Sequence, residues 1–153
     1  MMRIPVSPSP RTVPPVTIYF DGVCSLCNGF VDFLVRRDGA RRFRYASLQG
    51  SSFAALRERH PEALANHRLE TMVAVIPDPV HGWETVCTRS DAVLASLGEL
   101  PGLWRRFSAL FRLVPRPIRD VFYDLVARNR YRIWGRKATC RMPTAEERGL
   151  FLE

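Results

Sequence analysis

The sequence lacks several features that would place it in a membrane or nucleotide-binding class. No stretch of its 153 residues approaches the roughly 18 consecutive apolar residues that a membrane-spanning helix needs, so we expect no transmembrane segment. Residues 1–15, MMRIPVSPSPRTVPP, have no apolar centre like that of a secretory signal. We interpret them as a flexible, Pro-rich arm and expect a cytoplasmic location. A glycine-rich nucleotide fingerprint is also missing, so we expect neither a flavin nor a nicotinamide cofactor.

Cysteine and histidine are scarce, with four and three residues. Because cytoplasmic thiols are kept reduced, these cysteines indicate catalysis or metal binding rather than a framework of structural disulfides. The sequence contains neither a second C-x-x-C nor a close pair of histidines, which weakens the case for zinc.

Acidic residues are almost absent from the C-terminal third, and this sets the charge of the chain. Residues 101–142 carry 11 Lys and Arg against Asp120 and Asp124, within a chain of net charge +8. A surface of this kind attracts acidic partners such as phosphate, lipid head groups or acidic proteins.

The single C-x-x-C, formed by Cys24 and Cys27, lies where a strand pattern gives way to a helix pattern. Residues 16–20, VTIYF, are the β-branched and aromatic run of a buried strand. Asp21 and Gly22 interrupt it, and from Asn28 onward apolar residues recur at helical spacing. The two cysteines are therefore predicted to lie on the loop and first turn between a strand and a helix.

This position favours redox chemistry. The first turn of a helix carries unpaired N–H groups and the positive end of the dipole, which stabilise a thiolate. The pKa of a cysteine in a C-x-x-C can fall to roughly 3.5–7.5. We expect Cys24 to be the more exposed nucleophile and Cys27, one turn later, to be the resolving thiol. Inert packing or half of a zinc site are the alternatives.

The remaining patterns predict an α/β fold. Strand patterns occur at residues 43–46, 71–76 and 83–87, and helix patterns at 51–60, 61–65 and 90–97, with Ser90 as an N-cap. The order β-α-β-α-β-β-α is that of a thioredoxin-like core, which we assign to residues 16–100. Residues 101–153 then form a basic helical extension packed on this core, within one domain.

The sequence resembles the DCC family of thiol-disulfide oxidoreductase-like proteins. The resemblance extends from Val16 to Leu152 and is most specific in four motifs, DGVCSLCN (21–28), TRSDA (88–92), PRPIRDVFYDLVARNRYRIWG (115–135) and CRMP (140–143). It implies that Asp21, Cys24 and Cys27 are the signature residues of a redox site. Thioredoxin-like proteins place a cis-proline before the third core strand, but Glu70 and Thr71 stand there. The sequence therefore does not predict thioredoxin's mode of binding peptides.

Other residues near the dithiol have two interpretations each. Asp21 could exchange a proton with the resolving thiol, or it could bond backbone N–H groups and shape the turn. Cys140 could be a third redox thiol or a structural residue. The candidates for substrate contact are Ser25, Leu26, Thr71 and Arg89.

The C-terminal extension contains two amphipathic helix patterns separated by Pro115. The apolar positions are Leu103, Trp104, Phe107, Leu110, Phe111 and Val114 in the first and Ile118, Val121, Phe122, Leu125 and Val126 in the second. We expect both apolar stripes to pack on the chain's own core. A basic helix of this kind can also lie on a membrane.

These patterns favour a thiol-disulfide oxidoreductase that acts on protein or small-molecule disulfides through a Cys24–Cys27 dithiol. Its partners would be a disulfide-containing protein or a small thiol such as glutathione, with no further cofactor. The Arg-rich third could also meet an anionic surface, and no nucleic acid is expected. The alternatives are a metal-binding module and a non-catalytic basic adaptor for anionic lipid or nucleic acid.

Overall fold

The structure is a computed structural model that describes residues 13–67, 71–137 and 142–152. The helices are α1 (Ser25–Arg37), α2 (Ser51–Arg59), α3 (Arg89–Glu99), α4 (Leu103–Phe111) and α5 (Arg116–Trp134). The strands are β1 (Val16–Phe20), β2 (Phe43–Ser47), β3 (Val73–Asp78), β4 (Trp83–Thr88) and β5 (Phe151–Leu152), and a short 3-10 helix, Arg148–Leu150, precedes β5. Among the described residues, no helix is both long and apolar enough to cross a membrane.

The five strands form one mixed sheet in the order β4-β3-β1-β2-β5. β1 runs parallel to β2, as a right-handed β-α-β crossover requires, and antiparallel to β3, which pairs with β4 as a hairpin. β5 adds a short parallel edge beside β2. The arrangement is a thioredoxin-like α/β fold, and the predicted fold class is confirmed.

The alternation of side chains along β1 divides the core between the two faces of the sheet. Val16, Ile18 and Phe20 point into the larger cluster, where α1 and α3 cover the sheet. Tyr19 points to the opposite face and packs against Phe53 of α2, with ring centroids 5.4 Å apart. Burial on both faces explains why four of the five residues of this strand are aliphatic or aromatic.

The first helix begins at Ser25, with Cys24 as its N-cap and Cys27 in its first turn, which confirms the predicted position of the two cysteines. Two local predictions are wrong in detail. Residues 61–66 form turns rather than the predicted helix over 61–65. Thr88, not Ser90, precedes α3. The Ser90 hydroxyl instead donates to Asp120 of α5 at 2.5 Å, so it joins two helices.

Helix α5 lies against the core through its polar side, contrary to the expectation for its apolar stripe. Its side chains Arg119, Asp120, Tyr123, Arg130 and Tyr131 make hydrogen bonds to α3, to the start of β3 and to the loop after β1. The stripe that was expected to be buried is 42–67% exposed, at Ile118, Val121, Phe122, Leu125 and Val126. The prediction fails because buried polar partners on the core take the place of an apolar interface.

Candidate dithiol site

The two cysteines of the C-x-x-C lie at the N-terminus of α1. Cys24 is the N-cap residue with an extended backbone (φ −80°, ψ 120°), and its sulfur accepts a hydrogen bond from the N–H of Cys27 at 3.4 Å. This is the capping role that Ser or Asp plays in other helices, here taken by sulfur. Both cysteines are free thiols in the structure, so the site is in the reduced dithiol form.

The electrostatics separate the two thiols. A hydrogen bond from the Cys27 thiol, aided by the Cys27 N–H and the charge of Arg130, lowers the pKa of Cys24 to about 6 despite its burial. The same hydrogen bond, together with burial and the negative charge on Cys24, raises the pKa of Cys27. At neutral pH the pair therefore holds one proton, with the thiolate on Cys24 and the thiol on Cys27.

The expectation that Cys24 is the more exposed cysteine is wrong. Cys24 is 0% exposed, whereas Cys27 is half-buried. The segment that follows α5 runs alongside: Arg136 forms an antiparallel β-bridge with Cys24, and the N–H of Lys137 donates to the Val23 carbonyl at 2.7 Å. Gly135, with φ 80°, ends α5 and turns the chain toward this contact.

Asn28 fixes the loop from beneath. Its buried side-chain amide donates to the carbonyl oxygens of Gly22 and Cys24, both at 2.8 Å. These bonds tie the turn after β1 to the first turn of α1, so the two cysteines keep a fixed spacing. Sequence reasoning missed this role because Asn28 marked only the point where the helical periodicity begins.

Asp21 is the centre of a buried polar cluster. Its Oδ1 accepts from the N–H of Val23 at 3.2 Å and from Gln49 at 3.4 Å. Its Oδ2 accepts from the Arg130 guanidinium at 3.2 Å and from the hydroxyl of Tyr131. Asp21 therefore bonds the backbone and shapes the turn, as one of its two interpretations expects. Because both carboxylate oxygens already accept hydrogen bonds, Asp21 has little capacity to exchange a proton with a thiol.

Arg130 connects this cluster to the sulfurs. Its side chain is buried with that of Asp21, and its charge helps to lower the pKa of Cys24 and partly opposes the rise in the pKa of Cys27. It also lies 4.6 Å from the ring centroid of Tyr131. From its sequence, Arg130 was expected to belong to the basic surface of the C-terminal third. Its position within the motif at 115–135 was the available indication of a role in the site.

An apolar cavity of about 320 Å³ opens beside Cys27. α1, α3, α5 and the residue before β3 supply its walls, which consist of Leu26, Cys27, Phe30, Met72, Val93, Phe122, Tyr123, Val126, Ala127 and Arg130. The hydroxyl of Tyr123 is committed to the N–H of Met72 at 3.0 Å, and burial raises the pKa of Tyr123 to about 12. A substrate at this cavity would meet carbon surface and the Cys27 sulfur.

The other predicted site residues divide between the cavity and more distant positions. Leu26 lines it, and Ser25 is the first residue of α1. Thr71 is buried and bonds His67 at 2.8 Å, while Arg89, with φ 54°, forms an ion pair with Asp124 at 3.8 Å. Neither of these two lines the cavity in the described part of the chain. Cys140 lies outside the described residues.

No metal centre is evident in residues 13–67, 71–137 and 142–152. They contain no group of three or more His, Cys, Asp or Glu side chains placed to hold a metal ion. Cys87 is half-buried on β4, and burial raises its pKa.

Comparison with known proteins gives consistent results. The family model described as DCC1-like thiol-disulfide oxidoreductase matches residues 18–136. The "Uncharacterized protein YuxK" of Bacillus subtilis (strain 168) is 34% identical over 140 residues, which cover 92% of this chain and 96% of that protein. The "DCC family protein At1g52590, chloroplastic" of Arabidopsis thaliana is 31% identical over 123 residues, covering 80% and 67%. No solved structure matches.

Proposed function

We propose that this chain, which belongs to the DCC1-like thiol-disulfide oxidoreductase family, exchanges electrons with disulfides through Cys24 as nucleophile and Cys27 as resolving thiol. The observation that carries the proposal is the hydrogen-bonded pair itself: one sulfur with a pKa lowered to about 6 beside another whose pKa is raised. A thiolate with a thiol one helical turn away is the arrangement that dithiol exchange requires.

The reaction runs in two displacements. The Cys24 thiolate attacks one sulfur of the substrate disulfide, so that a Cys24–substrate bond forms, the substrate S–S bond breaks and one thiolate leaves. Cys27 then loses its proton to that departing thiolate or to water and attacks Cys24. The second substrate thiolate leaves, the Cys24–Cys27 disulfide forms, and two electrons have passed to the substrate. A second thiol, such as glutathione, would restore the dithiol by the reverse steps.

Substrate access to Cys24 requires a local movement. Because Cys24 is buried and paired with Arg136, we propose that residues 136–137 separate from Val23 and Cys24 when a disulfide binds. The contact is a single isolated β-bridge, which includes the hydrogen bond from the Lys137 N–H to the Val23 carbonyl, so opening it costs far less than unfolding the domain. The half-buried Cys27 would remain reachable from the apolar cavity throughout.

Asp21 and Arg130 act as positioning residues in this proposal. Asp21 holds the loop and the guanidinium, and the guanidinium supplies positive charge near both sulfurs. With two donors at each oxygen, Asp21 is better suited to this role than to that of a general base. Replacing Asp21 would therefore act by changing the pKa of Cys24, not by removing a proton-transfer step.

Trapping of the mixed disulfide tests the assignment of roles. Cys27→Ser should accumulate a covalent adduct at Cys24 when the reduced protein meets a disulfide such as oxidised glutathione, since no thiol remains to displace it. Cys24→Ser should accumulate less adduct at Cys27 under the same conditions, because burial still raises the pKa of Cys27 when the sulfur of Cys24 is absent. Cys87→Ser is the matched control and should behave as the unmodified chain. An adduct that forms at Cys27 in preference to Cys24 would reverse the roles.

The pH dependence of alkylation provides an independent test. The rate at which iodoacetamide modifies Cys24 in the reduced protein should rise with pH around a midpoint near 6, following the thiolate. A midpoint near the value of a free thiol, about 8.5, would contradict the proposed activation.

A further inference from the structure

Helix α5 has its apolar side outward. The side chains of α5 that bond to the core are polar, and their partners are Ser90, Asp91, Met72 and Asp21. The outward side carries Ile118, Val121, Phe122, Leu125, Val126 and Ile133, each at least 42% exposed. A helix normally buries its apolar stripe. An exposed stripe of this length indicates that α5 binds a partner through it.

Helix α4 and the turn after it extend the same kind of surface. Ser108 faces inward and donates to the Leu94 carbonyl of α3 at 2.6 Å, while Leu103, Leu110 and Leu113 are exposed. Phe107, Phe111 and Trp134 are exposed as well, to 38–45%. We call nine of the exposed apolar residues of the two helices and the turn between them the α4–α5 face: Leu103, Leu110, Leu113, Ile118, Val121, Phe122, Leu125, Val126 and Ile133. A single exposed leucine needs no explanation, but nine large apolar residues on two consecutive helices mark an interaction site.

Basic residues are interspersed along the sequence with those of the α4–α5 face. Those exposed to solvent are Arg105, Arg106, Arg112, Arg116, Arg128, Arg132, Arg136 and Lys137. The acidic residues of the two helices, Asp120 and Asp124, are only partly exposed and already lie near Arg116 and Arg89, at 3.6 and 3.8 Å. The surroundings of the apolar residues are therefore strongly positive.

We propose that the α4–α5 face binds the surface of an anionic lipid bilayer, with the apolar side chains in the acyl boundary and the arginines among the head groups. Charge complementarity selects this partner: an apolar strip with basic flanks matches a layer of hydrocarbon beneath anionic groups. A second copy of the chain docked through the same face would bring arginines against arginines, which disfavours self-association. A nucleic acid would leave the apolar strip without a partner.

The bound orientation also concerns the dithiol, a consequence that rests on the proposed function. Phe122 and Val126 belong to the α4–α5 face and line the cavity beside Cys27. A second apolar cavity of about 350 Å³, between α3, α4 and α5, shares Val93, Phe122 and Tyr123 with the first. In the docked protein the cavity beside Cys27 would therefore open toward the lipid. The disulfide substrate would then be one that is associated with the membrane.

Co-sedimentation of the full chain with vesicles tests the docking. Phosphatidylcholine vesicles containing phosphatidylglycerol should bind it, and pure phosphatidylcholine vesicles should bind it at least tenfold more weakly. Leu125→Glu should reduce binding to the anionic vesicles about tenfold or more, because a charge then replaces a leucine that the bilayer would bury. Arg128→Gln with Arg132→Gln should reduce it roughly 25-fold, at about fivefold for each charge. Val80→Glu, at an exposed apolar site on the β3–β4 turn, is the control and should have no such effect.

The outcomes separate the possible occupants and the two proposals. A chain that fails to bind anionic vesicles overturns the docking, and so does binding that depends on the arginines but is unchanged by Leu125→Glu. Sedimentation velocity showing a dimer that Leu125→Glu dissociates would make a second copy the occupant instead. Cys24→Ser with Cys27→Ser should bind vesicles normally, so failure of the redox function would leave this result intact.

Discussion

Replacing Asp21 by Asn tests whether the buried ion pair with Arg130 stabilises the site. The two side chains are 3% and 2% exposed, and the guanidinium lies 3.2 Å from the carboxylate oxygen. Asparagine keeps the size of the side chain and can still accept from the Val23 N–H. It removes the negative charge and so leaves the buried guanidinium without the carboxylate that lies against it.

Breaking a buried ion pair by removing one partner costs about 3–5 kcal/mol in the free energy of unfolding. Solvent screens neither of these groups, so we expect the full range for Asp21→Asn. For a chain of this length each kcal/mol lowers Tm by about 2–4 °C, which gives a fall of about 6–20 °C. The partly exposed pair Arg42–Glu99, with side chains 24% and 28% exposed, offers a contrast. Glu99→Gln should cost only about 0.2–1 kcal/mol.

Urea unfolding of the reduced protein, followed by circular dichroism, measures both losses. Adding Arg130→Met to Asp21→Asn should recover part of the stability, because an apolar side chain then replaces the unpaired charge. A loss for Asp21→Asn below about 1 kcal/mol, equal to that of Glu99→Gln, would refute the argument. So would a double variant that is less stable than Asp21→Asn alone.

Three further predictions concern the dithiol and its surroundings. Cys27→Ala should raise the pKa of Cys24 measured by alkylation, because the hydrogen bond from Cys27 is the largest cause of its lowering; an unchanged pKa would assign the effect to other groups. Gly135→Ala should cost about 1–3 kcal/mol in urea unfolding, because φ 80° and ψ 178° suit glycine alone. It should also speed alkylation of Cys24, because the strained residue loosens the contact of residues 136–137 with Cys24. A stable variant with unchanged alkylation would argue against residues 136–137 as a barrier. Tyr123→Phe should cost about 1–3 kcal/mol by leaving the Met72 N–H without its acceptor; a neutral effect would mean that water replaces the hydroxyl.

Much of the fold was predictable because its elements obey local rules. The apolar run of β1, the period change at Asn28 and the hairpin patterns of β3 and β4 each depend on nearby residues. β5 was missed because Phe151 and Leu152 form a two-residue edge strand, too short for any pattern. The outward stripe of α5 was missed because amphipathic periodicity identifies the apolar side of a helix, not what covers it.

The candidate site was predictable only where its residues are neighbours in sequence. Cys24, Cys27 and Asp21 lie within one motif, and the structure keeps them on the loop after β1 and the first turn of α1. Arg130 reaches Asp21 across 109 residues, and no local pattern distinguishes this arginine from the exposed ones around it. The burial of Cys24 was missed for the same reason, because residues 136–137 pair with its loop only in the folded chain.

A redox titration tests the central claim most directly. The full-length protein is equilibrated across a series of glutathione redox potentials, its free thiols are trapped, and the disulfides are mapped by mass spectrometry. The account predicts a single two-electron transition in which Cys24 and Cys27 become joined to each other. If these two thiols stay reduced across the series, or if either pairs with Cys87 or Cys140 instead, the proposed dithiol mechanism is contradicted.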